Sequence, residues 1–85
     1  MARIELYTTD WCGYCTRAKQ LLRAKGVEYD EIDVTEDTEQ EAMMRVRSSR
    51  RTVPQIFIDG AHVGGFDDLA ALEREGELDR RLGTA

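Results

Sequence analysis

A short alternating run, Arg3-Ile4-Glu5-Leu6-Tyr7, gives way within eight residues to a repeat of helical spacing, and two cysteines, Cys12 and Cys15, stand at the junction. That succession constrains the fold more than any other feature. Ile4 and Leu6 alternate with Glu5, so residues 3–7 read as a first strand. From Tyr14 onward, Ala18, Leu21 and Leu22 share one helical face, and Gly26 stands where a left-handed helix end is common. Val27 to Val34 reads as a second strand, through Tyr29, Ile32 and Val34 among acidic residues. A strand–helix–strand unit of this length demands a parallel pair with a right-handed crossover.

The second half obeys a different rule. Thr35 is an apt N-cap for a helix with Glu36, Asp37, Glu39 and Glu41 early and arginines late, and Ala42, Met43 and Val46 form its expected inner stripe. Arg45 and Arg47 then complement the negative end of that helix. Asp59-Gly60, between Val53–Ile58 and Ala61–Val63, is a hairpin signal, so the last two strands run antiparallel. Gly64-Gly65 breaks the final strand, and Asp67 or Asp68 can cap a helix carrying Leu69 and Leu72 inward. The tail, with Leu78 and Leu82, is weakly helical. The expected architecture is α/β: one domain over residues 1–85, a four-stranded mixed sheet flanked by helices, in the order β-α-β-α-β-β-α.

Composition narrows the functions open to such a domain. The net charge of −5 argues against a general nucleic-acid or anionic-membrane surface, although Arg45, Arg47, Arg50 and Arg51 form a local basic cluster. No apolar run approaches the roughly 20 residues that span a bilayer. Met1-Ala2-Arg3 carries no signal-peptide apolar segment, so the cytoplasm is the expected location. In that reducing compartment two cysteines point to catalysis rather than to a structural staple. A structural zinc site wants four ligands, and Cys12, Cys15 and His62 fall short of that number.

Chemistry concentrates at Cys12-Gly13-Tyr14-Cys15. Two cysteines three residues apart at a helix start can close a tight disulfide and reopen it. Free N–H groups and the helix dipole favour a thiolate on the first sulfur, which is the reactive form. Trp11 is either a partly buried aromatic at the strand end or an apolar rim for docking substrates. Tyr14 is either the first inner residue of the helix or a lip beside the disulfide. His62, in an expected edge strand away from the cysteines, reads as a solvent-exposed structural residue.

Three segments together resemble the glutaredoxins of the thioredoxin-fold superfamily: Thr8-Thr9-Asp10-Trp11-Cys12-Gly13-Tyr14-Cys15, Thr52-Val53-Pro54-Gln55-Ile56-Phe57-Ile58, and Gly64-Gly65-Phe66-Asp67-Asp68-Leu69. The resemblance implies a glutathione-dependent oxidoreductase acting on protein disulfides and glutathionylated proteins, as a monomer. Cys12 would be the nucleophile and Cys15 the resolving thiol. Thr52 and Val53, before a cis Pro54, would hold the cysteine moiety of glutathione; Gly65, Phe66 and Asp67 would hold its γ-glutamyl end. Two departures from the family pattern stand out. Glycine replaces the proline common after the first cysteine, which leaves open a [2Fe-2S] cluster held by Cys12 of two copies and two glutathione thiols. Thr9 replaces a lysine common three residues before that cysteine, so Arg17, Lys19, Arg50 or Arg51 would have to supply the charge. A redoxin fed by thioredoxin reductase is the further alternative.

Overall fold

Alternation along β1 (Ile4–Thr8) sends its side chains to two different layers. In the computed structural model, which describes residues 2–84, the chain continues through α1 (Gly13–Ala24), β2 (Asp30–Asp33), α2 (Thr38–Ser48), β3 (Gln55–Ile58), β4 (Ala61–Gly64), α3 (Phe66–Arg74) and α4 (Leu78–Leu82). The four strands form one mixed sheet in the order β2-β1-β3-β4. β1 and β2 are parallel, with Leu6 opposite Glu31, whereas β3 runs antiparallel to both β1 and β4. The expected parallel pair and antiparallel hairpin are therefore both present.

On one face Ile4 and Leu6 pair across to Ile58 and Ile56. They pack with Ala18 and Leu22 of α1, Leu69 of α3 and Leu78 and Leu82 of α4. The C-terminal segment is thus a regular helix that closes this core, with both leucines fully buried. On the other face Tyr7 and Phe57 meet Val34 and Met44 beneath α2. That face is partly polar: Glu5 lies opposite Phe57, and Tyr7 opposite Gln55.

The second strand is shorter than Val27–Val34. Val27 and Val34 are buried on either side of it, and the Val34 N–H donates to Thr8 O at 2.8 Å. The expected inner stripe of α2 is incorrect. Ala42, Met43 and Val46 face outward, and Met44 and Ser48 are buried instead. The cause is the polar sheet face beneath, which takes the Arg47 guanidinium: it forms a forked ion pair with Glu5 (3.2 and 3.0 Å), donates to Tyr7 Oη at 2.9 Å, and sits 4.0 Å above the Phe57 ring. Arg45 pairs with Glu41 one turn earlier.

Two caps also differ from expectation. Asp37, not Thr35, caps α2, accepting from the Gln40 N–H at 3.0 Å, while Thr35 Oγ1 accepts from the Asp10 N–H and ties down the loop before the cysteines. Gly65 is the N-cap of α3, and Asp68 reaches back from within the first turn to accept the Gly65 N–H at 2.9 Å.

Candidate active site

Cys12 is the N-cap of α1, held in extended geometry at the exit of β1. Its Sγ accepts the Cys15 N–H at 3.1 Å and lies 3.9 Å from Val53 O. Cys12 and Cys15 are joined as a disulfide with their Cα atoms 5.2 Å apart. The two sulfurs are unequal in access. Cys15 is 1% exposed, whereas Cys12 is only half-buried. An incoming thiol or disulfide can reach Cys12 and not Cys15.

Trp11 holds a left-handed backbone (φ 60°) and is fully exposed, so its reading as a partly buried aromatic is incorrect. The preceding residue, Asp10, is pinned through its N–H, which donates to Thr35 Oγ1 at 2.8 Å. Tyr14 is likewise no inner-face residue. It is exposed and stacks on Phe66 at 6.3 Å between centroids, and Cys15, Ala18 and Leu22 take the inner face of α1.

Beside the disulfide runs a groove of about 340 Å³ lined by Tyr14, Arg50, Thr52, Val53, Pro54, Gly65, Phe66, Asp67 and Asp68. The Val53–Pro54 peptide is cis. At the far end the first turn of α3 presents N–H groups, which suit an anion. Arg50 Nη1 bonds Asp68 Oδ2 at 3.0 Å. The Gly65 N–H, then Arg50, hold the Asp68 carboxyl below the usual aspartate range. Of the four cations considered for the place of the missing lysine, only Arg50 lines this groove. Lys19 pairs with Glu31, and Arg17 lies over the Tyr14 ring.

Behind the groove lies a residue that motif reasoning left without a role. Gln55 is fully buried; its Nε2 donates to Thr52 O (2.9 Å) and Thr52 Oγ1 (3.2 Å), and its Oε1 meets His62 Nε2 at 2.7 Å. His62 does lie on the edge strand, but it is half-buried against Phe57 rather than solvent-exposed. Burial, then the charge of Arg50, pushes its pKa down, against the pull of Asp68. Among the described residues no group of three His, Cys, Asp or Glu could hold a metal, and no helix is long and apolar enough to cross a membrane.

The sequence matches the glutaredoxin family profile over residues 4–63. The chain belongs to the glutaredoxin family. It is 51% identical to Glutaredoxin 3 of Escherichia coli K12 over 82 residues, covering 96% of this chain and 99% of that one. The solution structure of a glutaredoxin from Brucella melitensis superposes with a TM-score of 0.86 at 54% identity, covering 99% of this chain and 91% of that one. The crystal structure of a buckwheat glutaredoxin–glutathione complex superposes with a TM-score of 0.88 at 30% identity, covering 96% of this chain and 77% of that one. With this membership, the Cys12–Cys15 pair is the redox dithiol of a thiol–disulfide oxidoreductase.

Proposed function

We infer that the electrons come from glutathione and that the groove beside Cys12 is where glutathione binds. The observation that carries this reading is the groove itself, which runs along Thr52-Val53-Pro54 to the start of α3, with the accessible sulfur 3.9 Å from Val53 O at its side. An extended peptide linked through sulfur to Cys12 would lie along Val53 and pair with its main chain. Its γ-glutamyl carboxylate would meet the N–H groups of Phe66 and Asp67 beside Gly65, whose own N–H is held by Asp68, and Asp67 would face the ammonium. Likeness to a glutaredoxin solved as a glutathione complex supports the assignment.

The steps follow from the unequal sulfurs. Once the pair is reduced, the Cys15 N–H directed at Cys12 Sγ stabilises a thiolate there, together with the helix dipole. That thiolate attacks the glutathione sulfur of a glutathionylated protein. The protein thiol leaves with a proton from solvent, and glutathione stays on Cys12 as a mixed disulfide. A second glutathione thiolate attacks this adduct and releases oxidised glutathione. For a protein disulfide the Cys12 thiolate attacks one sulfur and frees the other as a thiol. Cys15 then attacks Cys12 in the resulting mixed disulfide and frees the second protein thiol. Two glutathiones reduce the Cys12–Cys15 bond and leave as oxidised glutathione; Trp11 and Tyr14 form the rim that meets the substrate. All of these groups lie within one chain, which supports action as a monomer. A cytoplasmic setting supplies the reduced thiols the cycle needs.

Coupling tests the reading. Turnover with glutathione and glutathione reductase should far exceed turnover with thioredoxin reductase, and the reverse ratio would overturn it. A cluster-binding role is a separate proposal that rests on glycine at position 13, where many family members carry proline. Visible absorbance of anaerobically purified dimer would support it; a colourless monomer after reconstitution would remove it.

A further inference from the structure

We propose that Gln55 and His62 form a brace that orients the Val53 amide for substrate, making both of them positioning residues for the glutathione groove. The proposal rests on the glutathione reading of that groove.

Peptide geometry makes the argument. Gln55 Nε2 donates to Thr52 O, so that carbonyl points inward beneath the groove. The Thr52–Val53 peptide is trans, the cis bond being the next one. In a trans peptide the C=O and the following N–H point in opposite directions. Fixing Thr52 O inward therefore turns the Val53 N–H outward, and no backbone acceptor among the described residues takes it. The Val53 side chain packs against the Tyr7–Phe57 layer and holds the segment from its other side. A donor fixed in this way suits the main-chain carbonyl of an extended peptide attached to Cys12.

Thr52 sets which way the Gln55 amide faces, and His62 secures that orientation from the other side. Thr52 O can only accept, so the amide nitrogen must face it and Oε1 must face His62. His62 Nε2 then carries a proton and donates to Oε1 at 2.7 Å. Without that donor, the buried Oε1 is left unpaired and the amide is held less firmly against Thr52 O. A flipped amide would set Oε1 against Thr52 O, two acceptors facing one another. The polar chain thus runs from the edge strand, through a fully buried glutamine, to the segment that would contact substrate.

The test compares one peptide carrying its cysteine as a mixed disulfide with glutathione or with 2-mercaptoethanol, which has nothing to place in the groove. His62→Ala should lower kcat/KM for the glutathione disulfide by about fivefold, mostly through KM, as expected for one buried hydrogen bond. Its rate on the mercaptoethanol disulfide should stay within about twofold. His62→Gln, which offers an amide N–H at the edge strand, should restore much of the loss. Gln55→Glu keeps the shape and removes both donors to Thr52, and should act in the same direction. Equal slowing on both substrates, or none on either, overturns the brace. Failure of the glutathione reading would appear instead in the wild-type protein, as an absent preference between the two substrates.

Discussion

Replacing Arg47 with methionine removes the cation that α2 sets against Glu5, Tyr7 and Phe57 on the polar face of the sheet. The guanidinium makes a forked pair with Glu5, donates to Tyr7 Oη and covers Phe57 at 4.0 Å. The two side chains are 25% and 16% exposed, which sets the magnitude. A fully exposed pair contributes about 0–1 kcal/mol, and removing one partner of a fully buried pair costs about 3–5 kcal/mol. This pair lies between those limits, and lost cation–π contact adds about 0.5–1 kcal/mol. The expected loss is about 2–3 kcal/mol, or a Tm lower by about 10–20 °C for a domain of this size. Urea titrations followed by far-UV circular dichroism, with the disulfide intact in both proteins, measure it directly. Methionine keeps the apolar cover over Phe57, so part of the loss should return in the Glu5→Gln, Arg47→Met double variant. The pH dependence supplies a sign. The hydrogen bond from Arg47 chiefly holds the Glu5 carboxyl below the ordinary glutamate range. The stabilisation is therefore full above that range and fades as pH falls through the lowered value, so wild type and variant should converge in acid. A loss below about 0.5 kcal/mol at neutral pH would show that the pair behaves as a surface pair, and the reasoning would fail.

Other expectations are narrower. Gly64→Ala puts a Cβ into the Asp68 carboxylate at a residue with φ +125°, and should cost about 2–4 kcal/mol in denaturant titrations while loosening the start of α3. Asp37→Ala should destabilise by about 1 kcal/mol as a lost N-cap. Thr35→Ala, outside the helix, should spare α2 and instead speed hydrogen exchange at the Asp10 amide, which donates to Thr35 Oγ1. Asp68→Asn removes a carboxylate kept acidic by Gly65 and Arg50. Wild type should lose that stabilisation as pH falls below the ordinary aspartate range, and the variant should show a shallower decline there; because the side chain is 45% exposed, the difference stays within about 1 kcal/mol.

Much of this was legible in the sequence because short-range rules and tertiary demands agree. Alternation in β1, the Asp59-Gly60 turn and the Cys12–Cys15 spacing each act within a few residues. The two groove walls, Thr52–Pro54 and Gly65–Asp67, were named together through the family pattern, since no local rule brings them into contact. Disagreement came where a helix covers a polar surface. Ala42, Met43 and Val46 make the better apolar stripe, yet the sheet beneath α2 presents Glu5 and Tyr7, so Arg47 and Met44 turn inward and the apolar residues face out. Gln55 and His62 were illegible for a related reason. Their roles depend on a strand pairing and a buried amide orientation, and neither leaves a periodic trace.

Substitution of each cysteine in turn tests the central claim most directly, with turnover of a glutathionylated peptide measured in the glutathione-coupled assay. The exposure of Cys12 and the burial of Cys15 predict that Cys12→Ser abolishes turnover and that Cys15→Ser keeps it, with one glutathione trapped on Cys12 when reductant is withheld. Turnover retained by Cys12→Ser, or glutathione found on Cys15 in its place, would contradict the account.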